Sequence, residues 1–531
     1  MSGVLLVSIL AAIVALALLA KRLHVPYPVV FVAGGIVLAL IPGVPTIELR
    51  PDLVFLLFLP ALIFGDGWTT DYHWFKRFYQ PIFMLAIGLV AFTSLIVAYA
   101  AHWLMGFPLA LGFVLGAILS PTDAVATDAI AEEVSLPRTL MTIISGESLV
   151  NDATGLVIYR FAVIAVATGA FSLLAAALQF AYVVIVGVAV GLAIAWLIAK
   201  VSVAIRKAGL GDELISVSIS LVTPFALYVP ADAIGASGVL AAMAGGIYLS
   251  RKSTQIFDAD ARLAAAYTWN LLFFVFNGAA FVLIGLQLRS IVRTLQPYSL
   301  ATVIGWALAI ALLVIVVRVA WMFPAAYGRR KLWPKIRERE GPDPPWQSVL
   351  VLSLAGMRGI VSLAAALALP ETIAPGVPFP QRNLILFVTF VVIVVTLVGE
   401  GLALPWIIRR LGVHGADDEG KALAAARVQL ADAVRAHLRS LEPSFASPAE
   451  WEIAGRLHAH YELQAAHFTA HADGAEPDDD AQQHAIEGRL RREAFEAQQR
   501  ALQELRRAGA LTDDLFRQLQ WDLDLAESQL E

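Results

Sequence analysis

The chain contains no cysteine among its 531 residues, which excludes disulfide bonds, thiolate metal sites and cysteine nucleophiles. Charge is also scarce, because only 15% of the residues are Asp, Glu, Lys or Arg, whereas 59% are hydrophobic. This composition is typical of polytopic membrane proteins and not of soluble enzymes. The first apolar run, at about residues 4–20, has no basic segment before it and no small-residue cleavage site after it. We therefore expect a first membrane span and not a cleaved signal peptide.

The net charge of −5 is divided unevenly along the chain. From Gly415 onward there are 12 Lys and Arg against 23 Asp and Glu, which gives this part −11 and leaves the preceding part at +6. The sequence therefore predicts two domains, a transmembrane domain over residues 1–414 and an acidic tail over residues 415–531.

Apolar stretches of about 20 residues, the length that crosses a bilayer as a helix, recur throughout the first domain. We expect thirteen spans, at about residues 4–20, 27–41, 52–66, 80–104, 108–130, 139–167, 173–199, 214–229, 233–249, 270–288, 299–325, 346–370 and 384–408. Basic residues in the loops give the orientation. Nineteen lie in one alternate set of loops, six of them between residues 329 and 339, against four in the other set. The positive-inside rule then puts the N-terminus outside and the tail in the cytoplasm.

Two of these spans are interrupted. The fifth contains Ser120-Pro-Thr-Asp123, and the twelfth contains Gly356-Met-Arg-Gly359. Interrupted helices at corresponding places in two halves are typical of transporters built from inverted repeats. The predicted fold is therefore an all-α polytopic membrane protein. Spans 1–6 and 8–13 form the two inverted repeats with crossed, broken helices, span seven links them, and a helical tail follows.

Polar side chains concentrate in span six, in the stretch from Gly146 to Asp152. An ionised side chain in hydrocarbon costs about 2.5–3.5 kcal/mol even on insertion scales, so a carboxylate there predicts an ion or proton pathway. We predict that Asp152 binds either a largely dehydrated cation or a proton, with Ser148 and Thr122 as neutral oxygen ligands suited to a hard cation. The alternatives are that Asp152 merely pairs with Arg160, two turns along the helix, and that the two hydroxyls bond to their own helix.

A second group of polar residues is expected to support this site. Asn151 offers an amide to the end of a broken helix, and Asp123 and Arg358 lie at the two interruptions, where each can neutralise half-helix dipole ends. Glu147 and Arg318 are opposite charges in separate spans, so we expect them to pair. Three other acids near span ends are expected to reach water or lipid headgroups: Asp66, Asp128 and Glu400.

Taken together, these motifs resemble those of monovalent cation/proton antiporter family 1, which includes bacterial sodium/proton antiporters and animal sodium/proton exchangers. The resemblance covers roughly residues 5–410. It is carried by Ser120-Pro-Thr-Asp123, Gly146-Glu-Ser-Leu-Val-Asn-Asp152, Arg318 and Gly356-Met-Arg-Gly359, in the family's order and spacing.

The resemblance implies that Asp152 is the transport carboxylate, that Thr122 and Ser148 lie at the ion site, and that Glu147 and Arg318 form the family's characteristic ion pair. It gives Asn151, Asp123 and Arg358 the role of holding the helix crossing. It also implies a homodimer in which a core domain moves against a dimerisation domain. Asn in place of a second Asp before the transport acid resembles the electroneutral branch of the family.

The predicted function is secondary active antiport of a monovalent cation, in first place Na⁺, against H⁺ across the cell membrane. K⁺/H⁺ exchange is the alternative of the same class, because oxygen ligands do not discriminate between the two ions. A passive channel fits paired helix breaks around one titratable acid less well. An intramembrane hydrolase using Ser148 lacks the G-x-S-x-G elbow, and His102 is the only histidine within a predicted span. We expect no enzyme activity, cofactor or nucleic-acid partner; the expected partners are the ions, membrane lipid and a second copy of the chain.

The tail has heptad-like stretches at 424–434 and 489–519 with a break at 474–480, which predicts a helical hairpin. Histidine titrates near neutrality, so a pH-sensing tail is an alternative to ordinary surface histidines. Six of the chain's ten histidines lie there, at His437, His458, His460, His467, His471 and His484.

Overall fold

A computed structural model of the chain describes residues 3–42, 54–134, 136–169, 172–293, 295, 298–328, 331, 343–374, 376–413, 418–473, 489–490, 493–495, 497–505, 515, 519–520 and 523. The chain divides into two compact units, Met1–His414 and Gly415–Glu531.

The first unit is built from helices and one small hairpin. Its helices are α1 (Gly3–Leu23), α2 (Tyr27–Leu40), α3 (Val54–Thr69), α4 (Tyr72–Arg77), α5 (Tyr79–Met105), α6 (Leu109–Leu119), α7 (Ala124–Val134), α8 (Arg138–Thr168), α9 (Leu173–Lys207), α10 (Glu213–Ala233), α11 (Gly238–Ser250), α12 (Ser253–Ile256), α13 (Ala259–Leu286), α14 (Leu288–Arg293), α15 (Leu300–Gly328), α16 (Trp346–Leu354), α17 (Ile360–Leu367) and α18 (Arg382–Leu411). Strands β1 (Thr372–Ala374) and β2 (Val377–Pro378) pair antiparallel, with Gly376 at a φ of 76° in the turn between them.

The lengths and composition of these helices fit a protein that crosses the membrane several times. Among the described residues, eight helices are long and apolar enough to span a bilayer, and three shorter apolar helices accompany them, Tyr27–Leu40, Val54–Thr69 and Gly238–Ser250. The polytopic all-α class is therefore confirmed. Each predicted span coincides with a helix or with a pair of short helices, whereas the number of crossings and the inverted repeats stay predictions.

The two spans predicted to be interrupted are each divided into two short helices. Helix α6 ends at Leu119 and α7 begins at Ala124, on either side of Pro121; α16 ends at Leu354 and α17 begins at Ile360. A proline disfavours helix at the residue before it, and glycines lower helix stability, which is why the breaks fall at these motifs.

The helices of the first unit pack as two sets. The scaffold set, named here by its members, contains α1, α2, α3, α9, α10, α11 and α13, which pack mainly on one another. The core set contains α5, α6, α7, α8, α15, α16, α17 and α18, and the divided helices belong to it. Helix α8 contacts α3 and α11, so it lies at the boundary between the two sets.

In the described part of the second unit, α19 (Asp418–Leu441) and α20 (Pro448–Asp473) pack together around a short connection. The described residues within 489–505 are helical as well. Glu450 accepts hydrogen bonds from the backbone N–H groups of Ser447 and Ala446, and these bonds lower the pKa of its carboxyl. The tail is helical, as predicted, and within the described residues a helical hairpin is formed by α19 and α20, with its turn at 442–447.

Several details of the tail prediction fall outside the described part of the chain. The predicted break at 474–480 lies there, as does much of the stretch 489–519. His437, His458 and His460 are on α19 and α20. The side chains of the other three lie outside the described residues: His467, His471 and His484.

Candidate functional site

The two interrupted helices contact each other at their breaks. The backbone N–H of Asp123 donates a hydrogen bond of 2.8 Å to the carbonyl of Met357. The backbone N–H of Arg358 donates to the hydroxyl of Thr396 on α18, at 3.3 Å. Backbone that is not helical therefore finds its partners inside the protein, as a membrane-embedded break requires.

Opposite charges occupy the two ends of the first break. Arg358, only 2% exposed, donates from Nε to the carbonyl of Leu119, the last residue of α6, at 3.1 Å. Asp123 accepts at 2.9 Å from the backbone N–H of Val125 in the first turn of α7. A cation at a helix C-terminus and an anion at an N-terminus both stabilise the half-helix dipoles. Asp123 and Arg358 thus contact the two ends of the first break, and their role in holding the helix crossing stays a prediction.

The glycines of the second break are needed for close approach. A Cβ on Gly359 would overlap the carboxylate of Asp123, and one on Gly356 would lie 2.5 Å from the Arg318 side chain. Larger residues at either position would displace a charged group of the crossing. This explains why two glycines flank Arg358.

A buried ion pair connects α8 to α15. Arg318 donates to both carboxylate oxygens of Glu147, with the Nη2–Oε2 distance at 2.9 Å, and each side chain is 2% exposed. Arg318 also donates to the carbonyl of Leu352 on α16, at 3.3 Å. This two-point geometry is the strong form of the Arg–carboxylate contact, and it fixes α8 against α15 and the second divided helix.

Thr122, Asn151 and Ser148 connect the first break to α8. The Asn151 amide donates to the Thr122 hydroxyl at 2.9 Å and to the Thr122 carbonyl at 3.2 Å. The Thr122 hydroxyl donates to Glu147 at 3.1 Å, and Ser148 Oγ accepts from the backbone N–H of Ala124 at 3.2 Å. The alternative that these hydroxyls bond to their own helices is therefore wrong, because the hydrogen bonds of Thr122 and Ser148 join the first break to α8.

A cavity of about 40 Å³ lies where the two helix sets meet, beside these residues. The polar side chains of the sequence-predicted ion site, Asp152, Ser148 and Thr122, all line it, together with Asp123 of the break. From the scaffold set it is lined by Asp66 on α3 and by Asn277 and Phe281 on α13. The volume exceeds the roughly 10–15 Å³ needed for one water-sized particle, so the cavity has room for at least one such particle.

Asp152 and Glu400 are both buried acids, and Oε2 of Glu400 also lacks a hydrogen-bond partner among the described residues, but of the two Asp152 is the one that lines this cavity. Asp152 is 5% exposed, yet its carboxylate makes no hydrogen bond or ion pair with any residue that the structure describes. The alternative that Arg160 neutralises it is wrong, since Arg160 instead pairs with Asp232 of α10 at 3.4 Å. A carboxylate buried without a partner needs a proton or a cation to compensate its charge.

Sequence reasoning missed the position of two other acids. Asp66 is half-buried and lines the cavity, and Glu400 is only 8% exposed within α18; neither reaches out to headgroups as expected. Both acids lie near the ends of predicted spans, and this position wrongly suggested that their side chains reach water or lipid headgroups. The available signal for Asp66 was its place between Gly65 and Gly67, since Gly67 lets α3 pack against the backbone of Met243.

This geometry defines a class: a polytopic helical membrane protein with two divided helices that meet at their breaks, beside a cavity lined by a buried carboxylate that has no partner in the described part of the chain. The sequence profile of the family described as "Sodium/hydrogen exchanger, transmembrane" matches residues 8–410. The chain belongs to this family.

The relatives cover the chain to different extents. The chain is 36% identical over 409 residues to the sodium, potassium, lithium and rubidium/H⁺ antiporter of Bacillus subtilis, an alignment that covers 76% of this chain and 61% of that protein. The chain thus spans only about three fifths of that relative's length. It is 31% identical over 519 residues to the uncharacterized Na⁺/H⁺ exchanger YjcE of Escherichia coli, covering 96% and 94% of the two chains. That alignment includes the tail.

The fold also matches a solved structure. The sodium proton antiporter MjNhaP1 from Methanocaldococcus jannaschii superposes with a TM-score of 0.55 at 19% identity, over 76% of this chain and 100% of that one. At this identity the match shows a shared fold.

Proposed function

We propose that the chain is a secondary active antiporter that exchanges one Na⁺ for one H⁺ at Asp152. The observation that carries this proposal is the buried carboxylate of Asp152, which faces the cavity and has no partner among the described residues. A proton and a cation are the two species that can compensate its charge, and both cannot bind at once. Competition for one carboxylate couples the two fluxes without further machinery.

The other cavity oxygens complete a site for a hard cation. Asp66 brings a second carboxylate, and the hydroxyls of Ser148 and Thr122 each keep an unused lone pair beyond the bonds described above. Oxygen ligands of this kind suit Na⁺ and also K⁺ and Li⁺. The name of the Bacillus subtilis relative includes all of these ions, which supports a monovalent cation as cargo.

The position of the cavity supports alternating access. Asp66 belongs to the scaffold set, whereas Asp152 belongs to the core set, so a displacement of one set against the other opens or closes the same site. In this account the chain works as a homodimer in the cell membrane, as the family resemblance implies. The N-terminus is outside and the tail is cytoplasmic, because the loops rich in Lys and Arg alternate with loops that have few.

The neutral side chain of Asn151 supports an electroneutral cycle. Its amide is engaged with Thr122, so it contributes hydrogen bonds and no second charge next to Asp152. One cation then replaces one proton, and no net charge crosses the membrane.

The test uses the purified full-length chain in proteoliposomes with an imposed pH gradient. Addition of Na⁺, Li⁺ or K⁺ in turn should dissipate the gradient, and a pH gradient should drive ²²Na⁺ uptake against its own concentration gradient. Uphill uptake distinguishes an antiporter from a passive channel. A response to K⁺ and none to Na⁺ would overturn the choice of ion, and cation flux that never runs uphill would overturn antiport itself.

A further inference from the structure

An ion pair joins the core set to the scaffold set in the C-terminal third of α8. Arg160 of α8 donates to Asp232 of α10 at a distance of 3.4 Å, and both side chains are about half exposed. Asp232 lies one residue before the end of α10 at Ala233, and Arg160 lies eight residues before the end of α8 at Thr168. In the orientation proposed above, this end faces the outside.

The pair lies beyond an apolar seal that separates it from the site. Arg160 is eight residues after Asp152 on α8, which is about 12 Å along the helix. Over the intervening stretch, Ala153 of α8 belongs to one buried cluster with Leu227 and Tyr228 of α10. Half-buried Leu156 packs against the same cluster. The route from the site to this face is therefore closed first by apolar side chains and then by the ion pair.

We propose that Arg160 and Asp232 form a latch that holds the outer route closed and must break before the site opens to the outside. This inference rests on the proposed function, because it assigns the movement of the two sets to alternating access. The apolar seal can slide, but it offers no directional attraction. The ion pair supplies a contact that exists only when the outer ends of α8 and α10 are together.

The natural absence of cysteine makes the latch directly measurable. A single cysteine introduced as Leu156→Cys reports access to the seal, between the site and the latch. Intact cells are treated with a membrane-impermeant maleimide, and the labelling rate is compared with and without Asp232→Asn or Arg160→Gln. Exposed ion pairs are worth a factor of about two to five in an equilibrium, so each single change should raise the labelling rate from outside about two- to fivefold.

Two further variants decide the interpretation. The charge exchange Arg160→Asp with Asp232→Arg should return the labelling rate to the parental value, which a merely local loosening would not do. Arg138→Gln is the matched control, because Arg138 pairs with Asp71 at the opposite end of α8, at 2.9 Å, and its loss should not raise labelling from outside. Each variant is also checked for an unchanged melting temperature in detergent.

Parental labelling rates in both single variants would overturn the latch, and so would a charge exchange that fails to restore the parental rate. The readout involves no ion flux, so it separates the latch from the transport proposal. Faster labelling in a chain that fails to exchange Na⁺ for H⁺ would leave the latch standing and reject the proposed function.

Discussion

The backbone N–H of Asp123 donates a hydrogen bond of 2.8 Å to the carbonyl of Met357, so the two divided helices are joined directly at their breaks. Asp123 then lies against Gly359, and Arg358 reaches back to the end of α6. This junction fixes the Thr122 hydroxyl and the first turn of α7 beside α8, where Asp152 faces the cavity. The ion site thus depends on contacts between chain segments more than 200 residues apart.

The junction predicts a large effect from one methyl group. Gly359→Ala would force a Cβ into the Asp123 carboxylate, and overpacking of this kind costs about 1–3 kcal/mol. We expect a lower melting temperature and at least a tenfold loss of Na⁺-driven proton flux. Gly305→Ala on α15 is the control, because its Cβ would meet nothing within 4 Å. Equal behaviour of the two variants would contradict the close approach.

The Glu147–Arg318 pair predicts a stability defect. Removing one partner strands a buried charge at a cost of about 3–5 kcal/mol, so Glu147→Gln and Arg318→Ala should each lower the melting temperature in detergent. The exchange of the two charges should recover part of the loss. Melting temperatures equal to that of the parent in both single variants would refute the importance of the pair.

Asp66 predicts a change in cation affinity. Asp66→Asn keeps the size of the side chain and removes a negative charge from the cavity lining, so the half-saturating Na⁺ concentration should rise by about tenfold or more. Asp260→Asn, an exposed acid in the first turn of α13, is the matched control and should leave it unchanged. An unaltered half-saturating concentration in Asp66→Asn would remove Asp66 from the site.

Much of this arrangement could be read from the sequence. Apolar runs predicted the spans, Pro121 and the Gly356 to Gly359 motif predicted the breaks, and stranded opposite charges predicted the contact between Glu147 and Arg318. These predictions rest on local chemistry or on the high cost of isolated charges in hydrocarbon.

The sequence could not predict which residues a charged side chain contacts when those contacts depend on how distant helices pack. Arg160 was considered as a partner of Asp152 on its own helix, yet it pairs with Asp232 of another helix set. Asp66 was predicted to reach water, yet it lines the cavity. Both errors come from reading each span by itself, without the crossing that brings distant spans together.

The tail predicts a separable role. Truncation after residue 414 should leave Na⁺-driven proton flux intact, because the cavity residues all lie before that point. A shift in the pH dependence of exchange would assign pH sensing to the tail histidines, whereas an unchanged profile would leave them as ordinary surface. Loss of all flux from a truncated chain that still folds in the membrane would contradict the prediction.

The most direct test of the central claim is exchange by Asp152→Asn beside the parent chain in proteoliposomes, at several pH values and membrane voltages. In the parent, protons compete with the cation for one carboxylate, so the apparent Na⁺ affinity should weaken as the pH falls, and the rate should be insensitive to voltage. Asp152→Asn should fold normally and show no Na⁺-driven proton flux. A robust flux in that variant would contradict the account, and a voltage-dependent rate in the parent would contradict its electroneutral form.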